Sequence, residues 1–289
     1  MKIIRMFGVF TMVLVLMGGA LWASESEIAG NVRFIGSTAP PDNWVNEAKV
    51  EAGYTVRMPL FQGEGPLFSQ NNLKLKGVLG VTPITGSLTF EAVLTPIAVM
   101  ELSVGGVMGT GWNFDLMEIE GLRRNDGAET EEDSLGGMYY KGKAGVALQF
   151  DTAAIWPGDW TSVVMRTYHE VNYQGYLTGN TPSGGWEFET GGLHKDGLNY
   201  KGEYLIGYQM PLIIDTVALM LETYVDNIDN DLEVEMLMDV GLVMNFGLTD
   251  RLNLTVIPQL TTKGTDADRA FEKVDLQFKR VAAMVNYAL

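Results

Sequence analysis

Across residues 48–58 two chemistries alternate without a fault. Ala48, Val50, Ala52, Tyr54, Val56 and Met58 take one face, and Lys49, Glu51, Gly53, Thr55 and Arg57 take the other. Successive side chains of a strand point to opposite faces, so a period of two predicts a strand with one apolar and one polar side. A helix would scatter the same charges around its circumference, because its period is 3.6. The pattern returns over 232–248, where Glu233, Glu235 and Asp239 oppose Leu232, Val234, Met236, Met238 and Val240. It returns again over 198–210 and 140–150. Segments 28–36, 71–82, 86–95, 97–109, 161–176, 214–225, 251–261 and 272–289 follow it less regularly. The expectation is an all-β chain of about 12 strands, with 10 to 14 compatible with the pattern and the register least certain over 61–97.

Something apolar must cover the outer side of so many two-faced strands. No stretch after the first two dozen residues is apolar for 18 positions, so a spanning helix is not expected there. The other structure that can cross a bilayer is a closed sheet, which leaves no backbone edge unpaired. The first segment fits export. Lys2 and Arg5 precede an apolar run from Met6 to about Leu21, and the small residues Ala20, Ala23 and Ser24 follow. Residues 1–23 therefore read as a signal peptide, and 24–289 as one antiparallel transmembrane β-barrel domain. A soluble β-sandwich is the competing architecture, since alternation alone does not name what touches the apolar face.

Charge and composition narrow the function classes. The chain carries −16, and losing Lys2 and Arg5 would leave −18. Such acidity offers no basic stripe for a nucleic-acid backbone. With no cysteine there is neither a disulfide, a thiolate metal site nor a cysteine nucleophile. Only two histidines occur. His169 falls on the apolar side of its strand, and His194 lies in a Gly-rich connection, so neither is placed as the base of a serine hydrolase. No GxSxG, HExxH or phosphate-binding loop appears, so an enzyme is not expected, nor is a cofactor.

The connections suggest an orientation. Counting back from Leu289, the short ones fall at one end: Thr249-Asp250, 211–214, 152–160, Thr95-Pro96 and, less comfortably, 61–70. The long polar ones, including 110–137, 177–197, 226–231 and 262–271, fall at the other, with 83–85 too short for the set. Outer-membrane barrels have short periplasmic turns and long outside loops. Phe150, Tyr208, Phe246 and Tyr287 sit on the apolar face near the short-turn end, where an interfacial aromatic girdle would lie. Val281, Ala283, Val285, Tyr287 and Leu289 alternate up to the final residue. This resembles the last strand by which bacterial outer-membrane proteins are recognised for assembly, although members of that class usually end in Phe or Trp. The whole mature chain resembles porin-like barrel proteins in pattern, without identifying a subfamily. The resemblance implies outer-membrane lipid and the barrel-assembly machinery as partners.

Inside such a barrel the polar faces would bring together Lys49, Arg57, Lys74, Lys76, Lys141, Lys143, Arg166 and Lys201 with Glu51, Glu91, Glu101, Glu170, Glu203, Glu222, Glu233, Glu235 and Asp239. Two readings follow. The charges line a water-filled pore for small polar solutes, or they pair and fill the interior of a structural or surface-interaction barrel. Eight strands enclose little more than their own side chains, and sixteen to eighteen leave a channel, so twelve decides neither. Glu233, Glu235 and Asp239 could hold a hard cation, but basic partners on nearby strands explain them more simply, and no metal is expected.

Overall fold

Every alternating segment contributes a strand over its described residues. The computed structural model describes residues 27–38, 47–114, 119–124, 137–177, 185–188, 193–194, 196–226, 228, 236–262 and 276–289. The residues read as a signal peptide, together with Glu233 and Glu235, lie outside that set. In chain order the strands are β1 (Glu27–Thr38), β2 (Glu47–Pro59), β3 (Asn72–Val81), β4 (Thr85–Ile97) and β5 (Met100–Gly111), then three short ones, β6 (Asn113–Phe114), β7 (Ile119–Glu120) and β8 (Leu122–Arg124). β9 (Met138–Asp151) and β10 (Val163–Tyr176) follow, then the short β11 (Trp186–Phe188) and β12 (Leu193–His194). β13 (Gly197–Gln209), β14 (Ile214–Val225), β15 (Met236–Gly247), β16 (Leu252–Thr261) and β17 (Gln277–Ala288) complete the chain.

The twelve long strands close into an antiparallel barrel in the order β1-β17-β16-β15-β14-β13-β10-β9-β5-β4-β3-β2. Each is joined to the next by its own connection, and the ring shuts where β1 meets β17, with Asn31 opposite Ala288 and Thr38 opposite Val281. Asn31 Nδ2 donates to Asn286 Oδ1 at 3.0 Å across that seam, and Leu289 N donates to Gly30 O at 3.0 Å.

The alternation sorts side chains as the pattern requires. Val50, Tyr54, Leu79, Phe90, Val104, Leu148, Met165, Ile206 and Leu219 are all exposed on the outside. Buried residues on the other side are mostly polar or charged, among them Glu170, Asn172, Asn199, Glu222 and Asp239. This inverts the usual arrangement of a water-soluble domain.

One connection differs from the sequence expectation, and another that fits it proves to be ordered. Thr95 and Pro96 are not a turn: β4 continues to Ile97 through an irregularity between Leu94 and Ile97, and the reversal falls at Ala98 and Val99. A proline is tolerated there because a bulge has no ladder bond for it to break. The long connection after β2 is an ordered turn. Buried Asn71 donates from Nδ2 to Phe61 O at 2.9 Å and to Pro96 O at 2.5 Å, and Ala98 N donates to Leu67 O at 2.9 Å, which seats the turn on its neighbour. Phe61 is held at φ 56°, a strained value for a side-chain-bearing residue. The short connection 83–85 stands as a tight turn, in which Thr82 Oγ1 accepts from Ile84 N and Thr85 N.

Two further breaks in register place side chains. Between Gln259 and Leu260 the partner on β17 jumps from Arg280 to Phe278, so Lys279 is the extra residue of a β-bulge. A bulge turns two consecutive side chains toward one face. Lys279 and Arg280 therefore both enter the barrel, while Phe278 is exposed outside. A second break between Ile214 and Thr216 aims Asp215 at Asn245, whose Nδ2 donates to both carboxylate oxygens at 2.8 and 2.9 Å.

Candidate functional site

The inner charges are organised as chains of ion pairs, some between neighbouring strands, some along one strand and some reaching over an intervening strand. Lys76 (β3) and Lys143 (β9) both reach Glu91 (β4), at 3.3 and 2.8 Å. Glu170 on β10 then takes Lys141 at 2.9 Å and Lys143 at 3.8 Å, and also accepts from the Tyr168 hydroxyl at 2.9 Å and Asn172 Nδ2 at 3.1 Å. Arg166 and Lys201 share Glu203 at 3.7 and 2.6 Å, and Lys201 continues to Glu222 at 3.1 Å. Gln259 Nε2 donates to Glu222 at 3.2 Å and its Oε1 accepts from Arg280 Nε at 2.7 Å. Lys74 pairs with Glu101 at 3.0 Å, Lys49 and Arg33 approach Glu51 at 3.7 and 3.4 Å, and Lys279 pairs with Asp239. Arg57 donates to Gln70 at 3.1 Å near the short-turn end.

Pairing is what makes these charges tolerable where they are. Glu203, Glu222 and Asp239 lie directly opposite one another on β13, β14 and β15, an arrangement of like charges that is unfavourable in a ladder. Lys201 and Lys279 lie between and beside them and offset the repulsion. Asp239 is almost wholly buried, and its Oδ1 has no hydrogen-bond partner in the structure. Of the acidic ladder Glu233, Glu235 and Asp239, the first two lie outside the described residues. Its described member is held by Lys279, a cation that strict alternation could not place because it sits on the bulge. Among the described residues, Arg33, Lys279 and Arg280 are inner cations that the sequence reading missed.

A cavity of about 330 Å³ opens between these chains. Lys76, Glu91, Glu101, Lys141, Lys143, Arg166, Glu170, Lys201 and Glu203 supply its charged lining, with Ser103 and Tyr168 among the neutral groups. It lies against β3, β4, β5, β9, β10 and β13, at the small end of the range of roughly 300–1,000 Å³ that small-molecule sites occupy.

The long connections contribute a feature invisible to strand periodicity. β12, β11 and β8 form a three-stranded sheet, and β6 and β7 a separate pair. Leu122, Trp186 and Phe188 make its buried apolar cluster, packed against Tyr139 and Tyr176 of the barrel wall. The Tyr139 ring lies 5.1 Å from that of Trp186 and 4.5 Å from that of Phe188. Asp196 Oδ1 ties the sheet down by accepting from Trp186 Nε1 at 3.1 Å and Tyr176 N at 3.0 Å. Tyr139 and Tyr176 share the alternation phase of Lys141 and Glu170, so this sheet lies over the inner side of the barrel's loop end.

The two histidines sit apart, one on the barrel wall and one in the mouth sheet. His169 is on the outer face, where its Nδ1 shares a 2.6 Å hydrogen bond with the Tyr200 hydroxyl and its ring meets Tyr204 edge-on at 5.5 Å. His194 stacks on Trp186 at 4.7 Å.

No protein-family model and no curated protein matches the chain. Solved structures of similar outline exist at very low identity. An outer membrane channel from Pseudomonas putida F1 aligns at TM-score 0.45 and 10% identity, covering 91% of this chain and 95% of that one. The NanC porin aligns at TM-score 0.43 and 8% identity over 89% and 98% of the two chains. The translocator domain of the autotransporter NalP from Neisseria meningitidis gives 0.39 and 11% over 98% and 96%. The fold assignment rests on this chain's own closed strand order: an antiparallel barrel of twelve strands, apolar without and charged within.

Proposed function

We propose that the protein is an outer-membrane channel through which small hydrophilic solutes diffuse, residues 1–23 being removed on export. The observation that carries this reading is the inversion of polarity: an apolar belt around a charged interior that contains a cavity of about 330 Å³. Hydrocarbon suits such a belt, and a water-filled space suits such an interior. Trp156 and Trp160 are exposed on the turn between β9 and β10, and Tyr208 donates to Trp160 O at 2.6 Å. Aromatic groups at that end suit a headgroup boundary. In this setting the short turns are periplasmic, the long connections face outward, and β17 is the strand offered to the assembly machinery.

Two measurements test the reading. Purified protein in planar bilayers is expected to conduct ions, and liposomes containing it to swell in small sugars and not in large ones. Folded protein that conducts nothing would favour the second reading, a non-conducting surface barrel, for which the sheet seated on Tyr139 and Tyr176 speaks because it narrows the mouth. The membrane itself is tested by Leu219→Arg. At this exposed outer position an arginine is expected to cost about 2–4 kcal/mol of folding stability if it lies near the bilayer midplane. Unchanged urea unfolding of the variant in liposomes would remove hydrocarbon from that face.

A further inference from the structure

We infer that the chamber prefers small anionic solutes, an inference that rests on the channel reading and adds the charge class of what passes. The chain as a whole is strongly acidic, so the expectation from net charge alone is the opposite.

The argument begins with which half of each ion pair meets the water. In nine of the eleven described pairs the basic side chain is more exposed than its carboxylate. The contrast is 27% against 4% for Lys141 and Glu170, 38% against 17% for Lys76 and Glu91, and 29% against 1% for Lys279 and Asp239. The cause is side-chain length. A carboxylate one or two methylenes from the backbone stays at the barrel wall, whereas lysine and arginine carry their charge outward on longer stems. Hydrogen bonds hold the carboxylates there, from Tyr168 and Asn172 to Glu170 and from Gln259 to Glu222. A solute in the chamber therefore meets mainly ammonium and guanidinium heads in front of recessed carboxylates, Glu203 being the lining carboxylate that stands forward with them.

Stoichiometry acts in the same direction. Five cations and four carboxylates line the cavity, which leaves it one positive charge. Glu91, Glu170 and Glu203 are each shared by two basic groups, so none of those cations has a carboxylate to itself there. Each retains attraction for a passing anion, in a confined space where charges are less screened than in bulk water.

Lys76 and Arg166 isolate the effect. They are the most exposed cations of the lining, at 38% each, and Glu91 and Glu203 keep Lys143 and Lys201 when they are removed. K76Q/R166Q changes the lining from one positive to one negative charge without stranding a buried carboxylate. The experiment is the reversal potential of the full-length mature protein in planar bilayers under a potassium chloride gradient. Both baths are kept at high salt, where a Debye length approaching ~3 Å at 1 M removes the field of distant acidic segments. The native channel is expected to pass chloride more readily than potassium, and K76Q/R166Q to lose or reverse that preference. The heat-dependent shift on a detergent gel reports that the variant is folded, and Lys76→Gln alone serves if it is not, with a smaller change of the same sign. A native channel preferring potassium, or a folded variant with unchanged selectivity, overturns the inference while leaving the channel reading in place. A folded protein without conductance overturns the channel reading, and the inference with it.

Discussion

Trp186→Ala is expected to detach the three-stranded sheet from the barrel mouth and to raise single-channel conductance. Trp186 is fully buried, packs on Tyr139 at 5.1 Å, stacks on His194 at 4.7 Å and bonds Asp196. Truncating a buried tryptophan to alanine costs about 3–5 kcal/mol. That shifts the balance of docked against undocked sheet by roughly a hundredfold or more. The loss is local, because among the described residues β8, β11 and β12 form a sheet of their own while the barrel closes without them. Limited proteolysis should cut the variant near the sheet and leave the barrel intact. Native proteolysis and native conductance together would show that something else holds the sheet in place.

Glu170→Gln should produce the largest loss of barrel stability among the inner carboxylates. Glu170 is 4% exposed and receives two lysines, a tyrosine hydroxyl and an asparagine amide. Breaking a buried ion pair costs about 3–5 kcal/mol when the partner is left uncompensated. Lys141 still reaches water and Lys143 keeps Glu91, so about 2–4 kcal/mol is the expectation. Lys76→Gln removes a more exposed partner from a carboxylate that keeps another, and should cost no more than about 1 kcal/mol. Urea unfolding in detergent micelles, followed by tryptophan fluorescence, compares the two. Equal shifts would mean that burial does not set the value of these pairs.

All twelve barrel strands are legible in the amino-acid order, and the reason is physical. A wall one residue thick, with hydrocarbon expected on one side and water on the other, forces the period of two onto every segment that crosses it. β2, whose residues never break phase, shows this most plainly. Legibility fails where the phase slips. Lys279 and Arg280 are adjacent yet share a face, so no count by twos finds both. Arg33 lies in β1, whose alternation is weak, although its pairing with Glu51 follows once β1 is set beside β2. The mouth sheet pairs Arg124 with Trp186 across more than sixty residues, and such a contact leaves no local signature. The ion pairs between strands are likewise unreadable, because which lysine reaches which glutamate there depends on the stagger between strands rather than on either strand alone.

The seam between β1 and β17 has a consequence for biogenesis. It joins the first barrel strand in chain order to the last, so the ring cannot shut before β17 has been made. Until then each partly made chain presents two unpaired edges able to recruit foreign strands. Export ahead of closure, with a chaperone shielding both margins, would spare the cell a sticky half-cylinder.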